Sequence, residues 1–388
     1  MRVVVVTPAA PHPFGETAAR GLSVLVSGLL AGGAQVRCLV AATESDARIA
    51  QARQWLEQLP GARNLELEVF PLAVRPMWRR KWRSLWRPFS ETRYARGLAA
   101  ALARHEAGGC DVLHLEQLWS GWLGLDRPRA LLNIYQLEIV DWQGRRPDGW
   151  AERKARLQMH RATTRLLRGA RQVRVVTPRL QACARQINPD AEYTVIPFAL
   201  DVSLYPLQPP ATEPVVGLLG SMHWLPSRSA AERLITRIWP RVKRRLPSAR
   251  LLIGGWNARR YLEQMVGSDI TLVENLAHPG EFFSRVAVMA YAPARGTGMK
   301  VKVLESMAYG VPVVTTAEGA EGLAVDDGVH CAIREDDEGL AEAIVAQLSD
   351  DKSRGAMRQA ARDLVQARYS REPFLAQMTA LYERVVRS

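Results

Sequence analysis

Apolar residues run unbroken over positions 286–292 (VAVMAYA) and return over 311–315 (VPVVT). Short continuous runs of this kind suit parallel strands buried on both faces. Between them lies a breaker loop with Pro293, Gly296 and Gly298, then a helical pattern over 299–309. Val301, Leu304 and Ala308 share one face of that helix and Gly310 stands at its end. Strand, glycine loop, helix and strand make a βαβ unit whose loop falls at the carboxyl end of a sheet, where α/β folds bind ligands. The same grammar opens the chain. Residues 2–7 read as a strand, 17–31 as a helix closed by Gly32 and Gly33, and 36–40 as a second strand. Further buried strands are predicted at 111–115, 130–135, 172–177, 215–219, 250–254 and 270–273, with a long basic helix over 150–168 and an amphipathic helix over 369–386. Pro206, Pro209, Pro210 and Pro214 mark a linker. The fold class is therefore α/β, with two Rossmann-like domains. The first half lacks a G-x-G-x-x-G fingerprint, so dinucleotide binding has little support.

The loop and helix over 296–305 carry candidate chemistry. Glycines let backbone N–H groups approach an anion, and a helix N-terminus adds partial positive charge. Lys300 and Lys302 place two ammonium groups in the first turn, the end a helix dipole disfavours for cations, which makes more sense beside a polyphosphate. Glu305, about one turn on, is placed to accept two sugar hydroxyls.

The segment GTGMKVKVLESMAYGVPVVTT closely resembles the donor-site segment of family 4 glycosyltransferases, and VVGLLGSMHWLPSRSAAERLITRIWPRVKRRLPSARLLIGG resembles the start of their donor domain. YTVIPFALDVSLY is similar to the hinge segment before it, and DDGVHCAIREDDEGLAEAIVAQLSDD through LYERVV to the end. The resemblance is strong over 190–388 and diffuse before that. It implies a GT-B fold: an acceptor-binding domain over 1–205, a nucleotide-sugar domain over 206–368, and a helix over 369–388 crossing back to the first domain. It implies transfer of a sugar from a nucleotide-diphosphate sugar (UDP or GDP) to an acceptor hydroxyl with retention, and no cofactor. Donor contacts would come from Gly15, Gly220, Ser221, Arg228, Asn275, Leu276, Gly296, Thr297, Gly298, Met299 and Glu305, with Lys302 and Lys300 on the diphosphate. The loop over 318–322 would close that site. Acceptor contacts would come from Glu16, His114, Glu116, Tyr135 and Glu138. Tyr135 stands where the family often has a His, and Thr297 where many relatives have a second Glu. Ser227 and Arg228 replace an Asn of the related branch. No Asp-x-Asp is present, so a metal is not implied, and the leaving diphosphate would rely on lysines, backbone N–H groups and a helix dipole.

Charge sharpens the picture. Of the net charge of +13, residues 1–200 carry +12 (29 Lys and Arg against 17 Asp and Glu) and residues 201–388 carry +1 (23 against 22). That asymmetry points to an anionic partner of the first half. Within it, 75–90 (RPMWRRKWRSLWRPFS) sets Trp78, Trp82 and Trp86 on one helical side and arginines on the other. An interfacial helix on anionic lipid has this pattern, as does a Trp face packed on the domain with solvated arginines; nucleic acid lacks a surrounding module. No apolar run reaches transmembrane length, MRVVVVTPAA enters a strand directly, and Cys38, Cys110, Cys183 and Cys331 share no short spacing. The expected location is the cytoplasm, peripheral on the inner membrane face if 75–90 binds lipid. The acceptor is then a lipid-linked or cell-envelope saccharide. The alternatives are a soluble small-molecule acceptor, or a catalytically idle GT-B protein at a membrane.

Overall fold

The computed structural model describes residues 1–42, 46–72, 88–142, 146–147, 149–276 and 278–387. They form two compact units, Met1–Ala199 with Arg371–Ser388, and Leu200–Ser370.

The first unit contains β1 (Arg2–Thr7), β2 (Gln35–Ala42), β3 (Leu65–Pro71), β4 (Val112–Glu116), β5 (Ala130–Ile134), β6 (Gln172–Val175) and β7 (Glu192–Val195), all parallel in the order 3-2-1-4-5-6-7. The order reverses between β1 and β4, the kind of switch point where such sheets open a crevice. β1 is buried because four consecutive valines leave no polar face to turn outward, and Val3 to Val6 are at most 2% exposed. β3, by contrast, alternates charged and apolar residues at the sheet edge. Its pattern is not a continuous apolar run, which is why the sequence does not announce it.

Helix Thr17–Ala31 packs closely because two of its residues lack a Cβ. A Cβ on Gly21 would meet the Tyr135 hydroxyl at 2.4 Å, and one on Gly28 would meet Leu375 at 2.0 Å. Leu375 belongs to the last helix, Arg371–Arg387. Its Phe374, Met378, Leu381, Tyr382 and Val385 recur every three to four residues and pack with Val3, Val5, Leu22 and Val36 in the core of this unit.

The second unit contains β8 (Val215–Leu219), β9 (Arg250–Gly254), β10 (Ile270–Val273), β11 (Val288–Tyr291), β12 (Val313–Thr315) and β13 (Ala332–Ile333), parallel in the order 10-9-8-11-12-13. Its order reverses between β8 and β11. The helical stretch after β8 runs from Leu225 to Arg245 through a π-turn at Leu234–Ile238. Pro240 lacks an N–H to donate one turn back, and a wider turn absorbs that loss.

The start of the helix after the glycine loop differs from the sequence pattern. The helix begins at Val301 rather than 299, and Lys300 precedes it as the capping residue with φ −88° and ψ 84°. Gly298 at φ +86° turns the chain just before it, a conformation open to glycine at little cost.

Candidate active site

Loops of the second unit leave the carboxyl ends of its parallel strands. The turn after β8 and the turn after β9 are packed through glycine: a Cβ on Gly255, at φ +131°, would meet the Gly220 carbonyl oxygen at 2.0 Å. Gly220 N–H donates to the Gly254 carbonyl at 2.9 Å and Met222 N–H to the Trp256 carbonyl at 3.0 Å.

Lys302 sits in the first turn of helix Val301–Ala308 and points back at the β8 turn. Its ammonium donates to the Ser227 hydroxyl. It also lies 4.8 Å from the centre of the Trp224 ring and 4.9 Å from that of Tyr291, within cation–π range of both. A Cβ on Gly220 would meet Lys302 Nζ at 2.7 Å and Ser227 Oγ at 2.8 Å, so this glycine makes room for the ammonium. Ser227 and Tyr291 are fully buried, and burial pushes the Tyr291 phenol up from its ordinary range. Sequence reasoning named Lys302 and Gly220 but not the two rings; Trp224 follows the glycine turn and Tyr291 ends β11, positions that read as loop and core.

Glu305, three residues after Lys302 and therefore on the same side of the helix, is 4% exposed. Tyr205, itself 2% exposed, donates its hydroxyl to Glu305 Oε1 at 3.3 Å. The arrangement orients a carboxyl group beside the lysine.

Lys300 has a different place from the one its sequence position suggests. It is 1% exposed, and its Nζ donates to the Gly298 carbonyl at 2.7 Å, the Gly296 carbonyl at 3.2 Å and Glu321 Oε2 at 3.2 Å, with Glu318 Oε1 at 3.6 Å. Gly296 N–H donates to the same Glu318 oxygen at 2.9 Å. The lysine thus fastens the glycine loop to the segment carrying Glu318 and Glu321 from inside, and it stands before the helix rather than in its first turn. The acids responsible lie 18 and 21 residues downstream, beyond the reach of a local pattern.

Of the other residues expected on the donor side, Ser221 is half-buried in the β8 turn. Arg228 lies over the Tyr261 ring at 4.8 Å and 3.9 Å from Glu232 of its own helix. Thr297 and Met299 are buried within the glycine loop, Asn275 is exposed at φ +55°, and Leu276 is partly exposed after β10.

In the first unit, Gly15 sits tightly against its helix: a Cβ there would meet Ala19 Cβ at 2.7 Å, and its carbonyl accepts from Arg20 Nε at 2.6 Å. Glu16 beside it is exposed. His114 and Glu116 on β4 are at most 1% exposed and belong to one buried chain. Tyr382 donates to His114 Nδ1 at 2.9 Å, and His114 Nε2 lies 3.0 Å from Glu116 Oε2. With Glu116 ionised its carboxylate only accepts, so Nε2 is then the donor and Nδ1 accepts from Tyr382. Asn133 Nδ2 donates to the same oxygen at 2.8 Å, and Arg174 Nη1 donates to Asn133 Oδ1 at 2.9 Å. Arg174 also donates to the Ile196 carbonyl at 3.0 Å and the Pro197 carbonyl at 2.9 Å. This chain places His114 and Glu116 inside the unit, under its last helix, rather than on an open surface. Tyr135 is partly exposed along its ring while its hydroxyl is enclosed against Gly21, and burial pushes that phenol up. Burial also raises the half-buried Glu138 carboxyl, to which Gln136 Nε2 donates at 3.4 Å. Trp78, Trp82 and Trp86 lie outside the described residues.

Residues 213–350 match the family model of Glycosyl transferases group 1. Solved structures match over nearly the whole chain. Sucrose-phosphate synthase from Thermosynechococcus elongatus is 19% identical, covers 99% of each chain and superposes with a TM-score of 0.76. HepE from Anabaena, in complex with UDP-glucose, is 15% identical over 98% of this chain and 99% of its own, with a TM-score of 0.69. WaaG, a glycosyltransferase involved in lipopolysaccharide biosynthesis, is 16% identical over 97% of this chain and 98% of its own, with a TM-score of 0.65. The fold is GT-B. No curated protein sequence matches the chain.

Among the described residues of this GT-B chain, one group of side chains lies close enough to hold an ion: Glu66, Glu68 and His105 at the edge of the first sheet. Their charges are already met, Glu66 by Arg37 at 2.9 Å and Glu68 by Arg104 at 2.7 Å and His105 at 2.6 Å. Nor is any helix among the described residues long and apolar enough to cross a membrane.

Proposed function

We propose that this protein moves a sugar from a nucleotide-diphosphate sugar to an acceptor hydroxyl, with retention of anomeric configuration. The observation that carries the reading is the Lys302 ammonium, held by Ser227, Trp224 and Tyr291 over a turn that only a glycine at 220 leaves open. A cation fixed at the glycine turns of a strand-end crevice suits a diphosphate, whose charge grows as the sugar departs. Glu305 is the group that accepts the ribose hydroxyls, and the N–H groups ahead of the helix at Leu225 add the dipole of its first turn. The acceptor hydroxyl attacks the same face that the diphosphate leaves, and the departing phosphate oxygen takes its proton, so no separate base is needed. The UDP-glucose in HepE supports a uridine nucleotide as the donor's carrier, and the excess positive charge of residues 1–200 supports an anionic, lipid-linked or cell-envelope saccharide as acceptor.

The test is a panel of nucleotide sugars scored by thermal shift and by donor turnover. A donor at a hundred times its dissociation constant stabilises by about 2.7 kcal/mol, which raises the melting temperature by roughly 5–10 °C for a unit of this size. Lys302→Ala should cut turnover by about a hundredfold or more while changing nucleoside diphosphate affinity much less. Absence of stabilisation and turnover with every UDP and GDP sugar would sink the proposal.

A further inference from the structure

Helix Trp150–Gly169 is the longest in the first unit. It buries Ala162, Thr163, Leu166 and Leu167 against the unit. At 100° per residue the opposite side gathers Trp150, Arg153, Lys154, Leu157, Arg161 and Arg168, all exposed. Trp150 is 74% and Leu157 50% exposed, and they stand along the middle of this basic face, seven residues and two turns apart. The helix has one acidic residue, Glu152, and it lies off this face, paired with Arg156 at 2.6 Å. The face is about 27 Å long and carries cations throughout.

We propose that this face lies on an anionic lipid surface, with Trp150 and Leu157 inserted between headgroups and the flanking arginines and lysine on the lipid phosphates. The charges alone would fit any polyanion. The two apolar side chains decide between partners. A soluble polyanion leaves Leu157 in water, whereas the headgroup region takes up both the aliphatic group and the amphipathic indole while the basic side chains remain at the phosphate level. The cations attract the surface from a distance set by salt, and the apolar pair holds contact once made. This contact does not depend on the transferase reading, because it is measured without turnover.

The experiment is co-sedimentation of the full chain with phosphatidylcholine vesicles with and without phosphatidylglycerol, at low and high salt. Binding is expected only to the anionic vesicles, and is expected to fall with salt. Trp150→Ser with Leu157→Ser, and separately Lys154→Glu with Arg161→Glu, should each lower the partition coefficient by about tenfold or more, with unchanged melting temperatures. Wild-type binding by both variants overturns the proposal, as does release that follows only from exchange of Trp78, Trp82 and Trp86. Retention on heparin that the charge reversal abolishes and the apolar exchange leaves intact, without vesicle binding, assigns a soluble polyanion instead. Failure of vesicle binding in a chain that still turns over a nucleotide sugar removes this surface alone.

Discussion

Gly220→Ala tests the role of Lys302 without touching the lysine. Gly220 has an ordinary φ, so alanine costs no backbone strain there. Its Cβ would stand 2.7 Å from Lys302 Nζ, 2.8 Å from Ser227 Oγ and 3.1 Å from Ser227 Cβ. Restoring ordinary contact at about 3.4 Å requires the ammonium to retreat by roughly 0.7 Å, because Ser227 is fixed in a helix and is fully buried. The lysine is the softer partner, but the approach to buried Ser227 must relax as well, so the fold should lose about 1–3 kcal/mol, the usual cost of inserting a methyl group. The ammonium, however, moves out of the position set by Trp224 and Tyr291. A displacement near 1 Å at a reacting centre costs about a hundredfold in rate, so turnover should fall by about 10–100-fold while nucleoside diphosphate affinity changes by about threefold or less. Donor hydrolysis, calorimetry with the nucleoside diphosphate and a thermal melt together read the three quantities. Full turnover in a folded Gly220→Ala protein would refute the idea that the position of this ammonium matters.

Two further predictions concern the buried charges. Lys300→Met removes the cation that ties Glu321 and two loop carbonyls together, and should cost about 3 kcal/mol in urea unfolding; adding Glu321→Gln should recover part of that, and a cycle with no coupling would show that the pair does not hold the loop. Tyr382→Phe leaves buried His114 Nδ1 without its donor, at a cost of about 1–3 kcal/mol, or roughly 2–12 °C in melting temperature; an unchanged melt would mean the tyrosine does not anchor the last helix.

Much of this architecture is legible in the sequence because parallel strands buried on both faces announce themselves. The runs at β1, β8, β9 and β10 coincide with the observed strands, and the turns after β8 and β9 carry the glycines that close packing requires. The edge strand β3 is not legible in the same way, because a half-exposed strand in a parallel sheet alternates and its LELEVFP could serve several structures. Within the candidate site, the pairing of Lys302 with Gly220 is foreshadowed by the glycine turn and the position of the lysine in a first helical turn. Its confinement by Trp224 and Tyr291 is not, since those residues come from two different strands' ends. The buried chain from Tyr382 to Arg174 is equally hidden. It joins residues 268 positions apart, and each of its members alone reads as an ordinary strand or helix residue.

The two lysines show why position in a motif is a weaker guide than the company a side chain keeps. Lys300 and Lys302 are two residues apart, and a helix dipole argument treats them alike. Gly298 turns the chain so that Lys300 falls outside the helix and beneath the loop, where carbonyl oxygens, Glu318 and Glu321 surround its ammonium. Carboxylates of opposite charge at such distances satisfy a buried cation and commit it to holding structure. Lys302 meets two aromatic faces and a serine hydroxyl, which hold its ammonium by quadrupole and dipole. Those contacts set the ammonium against the Gly220 turn. One lysine builds the loop, and the other is positioned by its surroundings to meet what the loop admits.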